Sequence, residues 1–118
     1  MDSLPDIISL LRSQDDADVD DGLSFLCELV STCYGDDGIL LGERMRSSGA
    51  IMTISMLLAD SSLDVRKQAL YLCSNLASDA VDQNSHQTKY ALMQCGAEYR
   101  LLPLLDAEDE ELRIYAFA

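Results

Sequence analysis

The amino-acid sequence predicts an all-α fold of the solenoid kind, in which short helical units stack and hide their apolar faces on one another. Three observations predict it. Aliphatic residues recur at a fixed offset of 47 residues, they follow three-and-four spacing within each stretch, and small residues recur where units must turn or pass close.

The offset is consistent along the chain. Ile7 aligns with Ile54 and Leu101, Leu10 with Leu57 and Leu104, and Leu11 with Leu58 and Leu105. It also sets Gly22 on Ala69 and Ala116, Leu29 on Leu76, Met45 on Leu92, and Gly49-Ala50 on Gly96-Ala97. Periods of roughly 40 to 47 residues belong to helical arrays whose units cannot bury a face alone. One domain over residues 1–118 is expected, with units at about 1–35, 36–82 and 83–118, the last incomplete.

In the first unit Pro5 lies near a helix start, where its missing N–H costs little. A short helix carrying Ile39, Leu40, Leu41 and Met45 precedes Gly49, and one with Tyr90, Ala91, Leu92 and Met93 precedes Gly96. Each glycine is expected to supply the positive φ that a sharp C-terminal turn needs. A second helix follows from Ile51, Ile54, Leu57 and Leu58, giving three helices per unit. Ser61-Ser62-Leu63-Asp64 then interrupts the pattern. Either serine can cap the third helix and Asp64 suits the positive end of its dipole. Val65, Ala69, Leu72 and Leu76 continue that helix as core, with Cys73 among them as a small buried hydrophobe. Gly22, Ala69 and Ala116 occupy a position where one helix must pass close to another.

Two segments strain the pattern. Asp79 to Thr88 is polar and lacks periodicity, so an exposed loop is expected there. Pro103 falls inside a helical stretch, where proline typically costs ~3 kcal/mol, and predicts a kink or a late start around Leu102-Pro103. At the C-terminus Leu112, Ile114, Tyr115 and Phe117 lack a following repeat, which points to a fragment, a truncated gene model or self-association through that face.

Composition narrows the function classes. The chain is 48% apolar and 25% charged, with 21 acidic against 8 basic residues and a net charge of −13. A nucleic-acid backbone or an anionic membrane is repelled by such a surface, and a basic protein partner is favoured. No apolar run approaches the roughly 18 residues of a membrane span. The acidic N-terminus carries no export signal, so the cytoplasm or nucleus is expected, where Cys27, Cys33, Cys73 and Cys95 stay reduced. These cysteines form no CxxC pair and His86 is the only histidine, so no metal site is expected. His86 reads as a solvated loop residue rather than a general base. The paired acids Asp15-Asp16, Asp20-Asp21 and Asp36-Asp37 read as solvated ends and connections. No GxGxxG or GxxxxGK motif is present, and neither a cofactor nor catalysis is expected.

Gly49-Ala50, Leu57-Leu58, Asp60-Ser61-Ser62, Val65-Arg66-Lys67-Gln68-Ala69 and Asn75-Leu76-Ala77 together resemble the armadillo repeat. The resemblance is strongest in the middle unit, fair over Gly96 to Ala118, and weaker over Met1 to Val30, where Asp18 stands in place of Val65. It implies a right-handed superhelix of three-helix repeats that is a non-catalytic protein-interaction module. It also implies a concave groove lined by the third helices, in which an asparagine holds the backbone of an extended ligand and an aromatic residue packs beside it.

Asn75 and Tyr71 match those positions, while Ser24 and Glu28 stand at the corresponding places in the first unit. An amide offers both donor and acceptor to a peptide unit, and Glu28 suits a Lys or Arg of a ligand. The family's aromatic is usually tryptophan, which is absent here. Read without the resemblance, Asn75 is a surface or capping polar residue. Two alternatives stay open: a substrate-recruiting fragment of a larger enzyme such as a ubiquitin ligase, and a chaperone nucleotide-exchange factor of armadillo type.

Overall fold

A computed structural model describes residues 3–105. Seven helices make up the regular structure among the described residues: α1 (Leu4–Leu11), α2 (Asp16–Thr32), α3 (Gly35–Ser47), α4 (Ala50–Leu57), α5 (Leu63–Leu76), α6 (Ser85–Gln94) and α7 (Ala97–Leu105). The 47-residue offset is visible in their order. It carries α1 onto α4 and α7, α2 onto α5, and α3 onto α6. The expected three-helix unit is seen whole in α3, α4 and α5.

The pairings are those of a stack. α1 packs on α2, α4 on α5, and α2 on α5, while α4 also meets α6 and α7. Leu4, Leu23, Leu26, Leu41, Met45, Ile54, Leu58, Leu70, Leu72 and Leu76 are fully buried between these layers. Val65, Ala69 and Cys73 join them, so the apolar stripe of α5 is core as expected. Burial pushes the Cys73 thiol up to about 12 and that of Cys27 to about 11, so both are protonated and unreactive at neutral pH. None of the described helices is long and apolar enough to cross a membrane.

The corners are built as the sequence predicts. Gly49 has φ 78° and Gly96 φ 75°, both left-handed, where α3 turns into α4 and α6 into α7. An arginine completes each corner. The Arg12 guanidinium donates Nη2–H to the Ser48 carbonyl at 2.9 Å, and Arg100 donates Nη1–H to the Cys95 carbonyl at 2.8 Å. Ser48 and Cys95 are equivalent, but their arginines come from non-equivalent positions, which no repeat alignment reveals. Gly49→Val should lower unfolding free energy by about 2 kcal/mol and Gly49→Asn by less, since asparagine tolerates the left-handed region better. Urea denaturation of both variants measures this; an unchanged midpoint for the valine variant would rule out the strained corner.

The α4–α5 turn is closed by its own side chains. Ser62 Oγ accepts from Val65 N–H at 3.4 Å, Asp60 Oδ2 accepts from Ser62 N–H at 2.9 Å, and Arg66 Nη1–H reaches the Asp60 carbonyl at 2.9 Å. Ser62 rather than Ser61 is therefore the cap. At the close-packing position an added Cβ on Gly22 would lie 3.0 Å from Leu10 Cβ, and its equivalent Ala69 is fully buried. The third member, Ala116, lies outside the described residues, as do Leu112, Ile114, Tyr115 and Phe117.

Two expectations are corrected. Asp79 to Thr88 is not an exposed loop, because α6 already begins at Ser85 and Asp82, Ser85 and Thr88 are fully buried. Asp82 Oδ2 pairs with Arg46 Nη1 at 2.9 Å, Arg46 also donates to Thr88 Oγ1 at 2.7 Å, and Ser85 Oγ donates to the Asp79 carboxylate. Polar residues go inside here since each finds a charged or hydroxyl partner on another element. Of the kink or late start expected at Leu102-Pro103, the late start does not occur: α7 runs from Ala97 with Pro103 inside it. The N–H that Pro103 lacks would have met the Tyr99 carbonyl one turn earlier. Pro103 is exposed and Tyr99 is 79% exposed, so water can take the place of the missing N–H and donate to that carbonyl.

Candidate functional site

The face to which sequence points is carried by α2 and α5. α2 starts where Asp15 accepts from Ala17 N–H at 2.9 Å and ends at Thr32, with Val19, Gly22, Leu23, Leu26 and Val30 buried. α5 buries Val65, Ala69, Leu70, Leu72, Cys73 and Leu76. Both helices turn these rows inward and pack on each other.

All four residues named from sequence lie on these two helices at equivalent positions, Ser24 beside Tyr71 in the repeat alignment and Glu28 beside Asn75. Ser24 and Glu28 are exposed; Tyr71 and Asn75 are half-buried. Tyr71 rests against the core, which fixes its ring. Asn75 donates Nδ2–H to the Tyr71 carbonyl at 2.8 Å, tying the two residues together and orienting the amide. Its Oδ1 accepts no hydrogen bond from the described residues.

One turn before each pair stand two more residues: Asp20, expected with Asp21 at a solvated end or connection but placed inside α2, and Lys67, which the sequence did not single out. Asp20 and Lys67 precede Ser24 and Tyr71 by four positions and so extend the same face. Asp20 is exposed and Lys67 half-buried. The signal that finds them is the i, i+4, i+8 series Asp20, Ser24, Glu28 and its equivalent Lys67, Tyr71, Asn75. Asp20 and Glu28 thus set two carboxylates roughly 12 Å apart along α2.

Other groups with chemical potential are placed elsewhere. His86 belongs to α6 rather than to a loop, and it is exposed at an open groove of about 760 Å³ shared with Glu43, Arg46, Ser47, Gln87 and Tyr90. No cluster of three or more metal-ligating side chains occurs among the described residues.

Comparison with solved structures reads the same arrangement. A designed armadillo repeat protein in complex with the peptide (KR)4 matches with a TM-score of 0.76 and 27% sequence identity, over 96% of this chain and 43% of its own. The chain has an armadillo-like repeat fold. Computationally designed armadillo repeat proteins for modular peptide recognition match equally well, with a TM-score of 0.76 at 27% identity over 96% of this chain. The armadillo-like chain spans 43% of the length of these designed proteins. No protein-family model and no curated protein matches its sequence. In armadillo terms α1 and α2 are second and third helices, α3 to α5 make a complete repeat, and α6 and α7 are first and second helices.

Proposed function

We propose that the chain is a non-catalytic protein-interaction module, built of repeat units at about 1–35, 36–82 and 83–118, that takes an extended basic segment of a partner protein on the α2–α5 face. The observation that supports this reading is that Asp20 and Glu28 on α2 and Tyr71 and Asn75 on α5 share one repeat register on two helices that pack on each other. Packed helices lie about 8–10 Å apart and an extended chain rises ~3.3 Å per residue, so roughly three ligand residues bridge α2 and α5. Asn75 meets the ligand backbone through its free Oδ1 and remaining N–H, while the two carboxylates meet lysine or arginine side chains. The solved complex of a similar designed armadillo protein with the peptide (KR)4 supports a ligand of that charge. Free thiols throughout fit a cytoplasmic or nuclear setting.

The affinity of this segment is expected to be modest. One backbone hydrogen bond contributes a net ~1 kcal/mol and an exposed ion pair ~0–1, against the roughly 8 kcal/mol of micromolar binding. Fluorescence anisotropy of a labelled (Lys-Arg)4 peptide should show binding that weakens with added salt and weakens about threefold or more in Glu28→Gln and Asn75→Ala. Equal affinity in wild type and both variants would move the ligand to another surface.

A further inference from the structure

A second cavity, of about 410 Å³, opens between α1 and α3, on neither of the helices that make the α2–α5 face. Its floor is aliphatic, with Leu4 and Ile8 buried and Pro5 beside them. Arg12 and Arg44 line its rim. In a chain with 21 acidic residues and a net charge of −13, no carboxylate is among the described residues that line it.

The two arginines differ in a useful way. Arg12 is held: Nε–H donates to Thr53 Oγ1 at 3.3 Å and Nη2–H to the Ser48 carbonyl at 2.9 Å, and its other N–H donors meet no acceptor among the described residues. The Ser48 bond also offsets the partial negative charge at the C-terminal end of α3, which would otherwise oppose an anion. Arg44 is exposed, and its guanidinium has no partner among the described residues. Guanidinium groups match a carboxylate in geometry, and one that is already fixed loses less freedom on binding. Ser9, Ser47 and Ser48 hydroxyls donate to backbone carbonyls of their own helices and leave the anion to the arginines.

We infer that this cavity is a binding site for an acidic, aliphatic peptide segment, with a glutamate or aspartate carboxylate between Arg12 and Arg44 and the adjoining aliphatic side chain on Leu4, Pro5 and Ile8. A singly charged carboxylate fits better than a phosphate dianion, which the net negative charge of the chain would repel more strongly. The site is independent of the α2–α5 reading, since it uses other helices and the opposite ligand charge.

The test uses the whole chain at about 0.15 M salt, where the Debye length is ~8 Å and long-range repulsion is screened. A fluorescein-labelled, N-acetylated hexapeptide of alternating glutamate and leucine is titrated beside its glutamine–leucine counterpart. Expected is saturable binding of the acidic peptide, at least about tenfold weaker binding of the glutamine form, and a loss of about tenfold in Arg44→Glu. Arg44 makes no structural bond through its side chain, so this variant should unfold at the wild-type temperature; Arg44→Gln serves as a second, charge-neutral variant with a smaller loss. Binding of (Lys-Arg)4 should not weaken in Arg44→Glu, which separates failure of this site from failure of the α2–α5 face. Three results would overturn the inference: no binding of the acidic peptide, equal binding of the glutamine form, or affinity within about twofold in both Arg44 variants.

Discussion

Asp82→Ala is expected to lower the free energy of unfolding by about 3–5 kcal/mol, because it leaves the Arg46 guanidinium without its buried counter-charge. The Asp82 side chain is 0% exposed and that of Arg46 only 14%, so water cannot take over the lost pairing. Asp82 Oδ1 also accepts from Asn84 N–H at 2.8 Å, a bond that organises the entry to α6 and is lost with it. For a chain of this length the thermal midpoint should fall by about 10–20 °C. Asp82→Asn should recover part of the loss by keeping the shape and the Asn84 bond. Replacing both partners, as in Arg46→Met with Asp82→Leu, should cost less than Asp82→Ala alone, since no charge is then stranded. Calorimetry of the three variants reads these differences; a loss under about 1 kcal/mol in Asp82→Ala would mean that the pair is solvated in solution.

Gly38→Ala is expected to destabilise by about 2–3 kcal/mol, although alanine gains ~1 kcal/mol over glycine in a helix interior. The added Cβ would overlap the Val81 carbonyl oxygen, a backbone atom that cannot swing aside. One turn later, a Cβ on Gly42 would overlap the Asp82 carboxylate, which Arg46 holds in place. Gly38 and Gly42 thus form the bed on which residues 79–84 lie against α3. Gly42→Ala combined with Asp82→Ala should therefore lose less than the sum of the single changes, because both act on one contact. Chemical denaturation of the single and double variants measures this coupling. If Gly38→Ala were instead more stable by its gain in helix propensity, the segment would not be seated on α3.

These two effects sit where the sequence was least legible. Gly38 and Gly42 show no pattern in sequence beyond glycines inside a helical stretch, and Asp82, Ser85 and Thr88 read as solvent-exposed because polar residues usually are. Their burial depends on partners far along the chain, with Arg46 separated from Asp82 by 36 residues and from Thr88 by 42. The candidate face was more accessible. Tyr71, Asn75, Ser24 and Glu28 follow from the repeat register and the armadillo resemblance, and Asp20 and Lys67 could have been added by stepping back one helical turn. Arg12 and Arg44 were beyond reach, since the cavity they share exists only when α1 lies beside α3.

The sequence by itself determined the period, through residues that recur at one offset, and the left-handed corners at Gly49 and Gly96 and a serine cap before α5, because each of these depends on residues within a turn or two of one another; the structure chose Ser62 over Ser61. Tertiary structure decided which flank of each helix is covered. Leu72 is 0% exposed on α5, yet its equivalent Phe25 is 52% exposed on α2, which has no described helix against that side. Periodicity reports that a helix has an apolar face. Only the neighbour that packs there removes the face from water, and a repeat makes equivalent residues alike in sequence without making their neighbours alike.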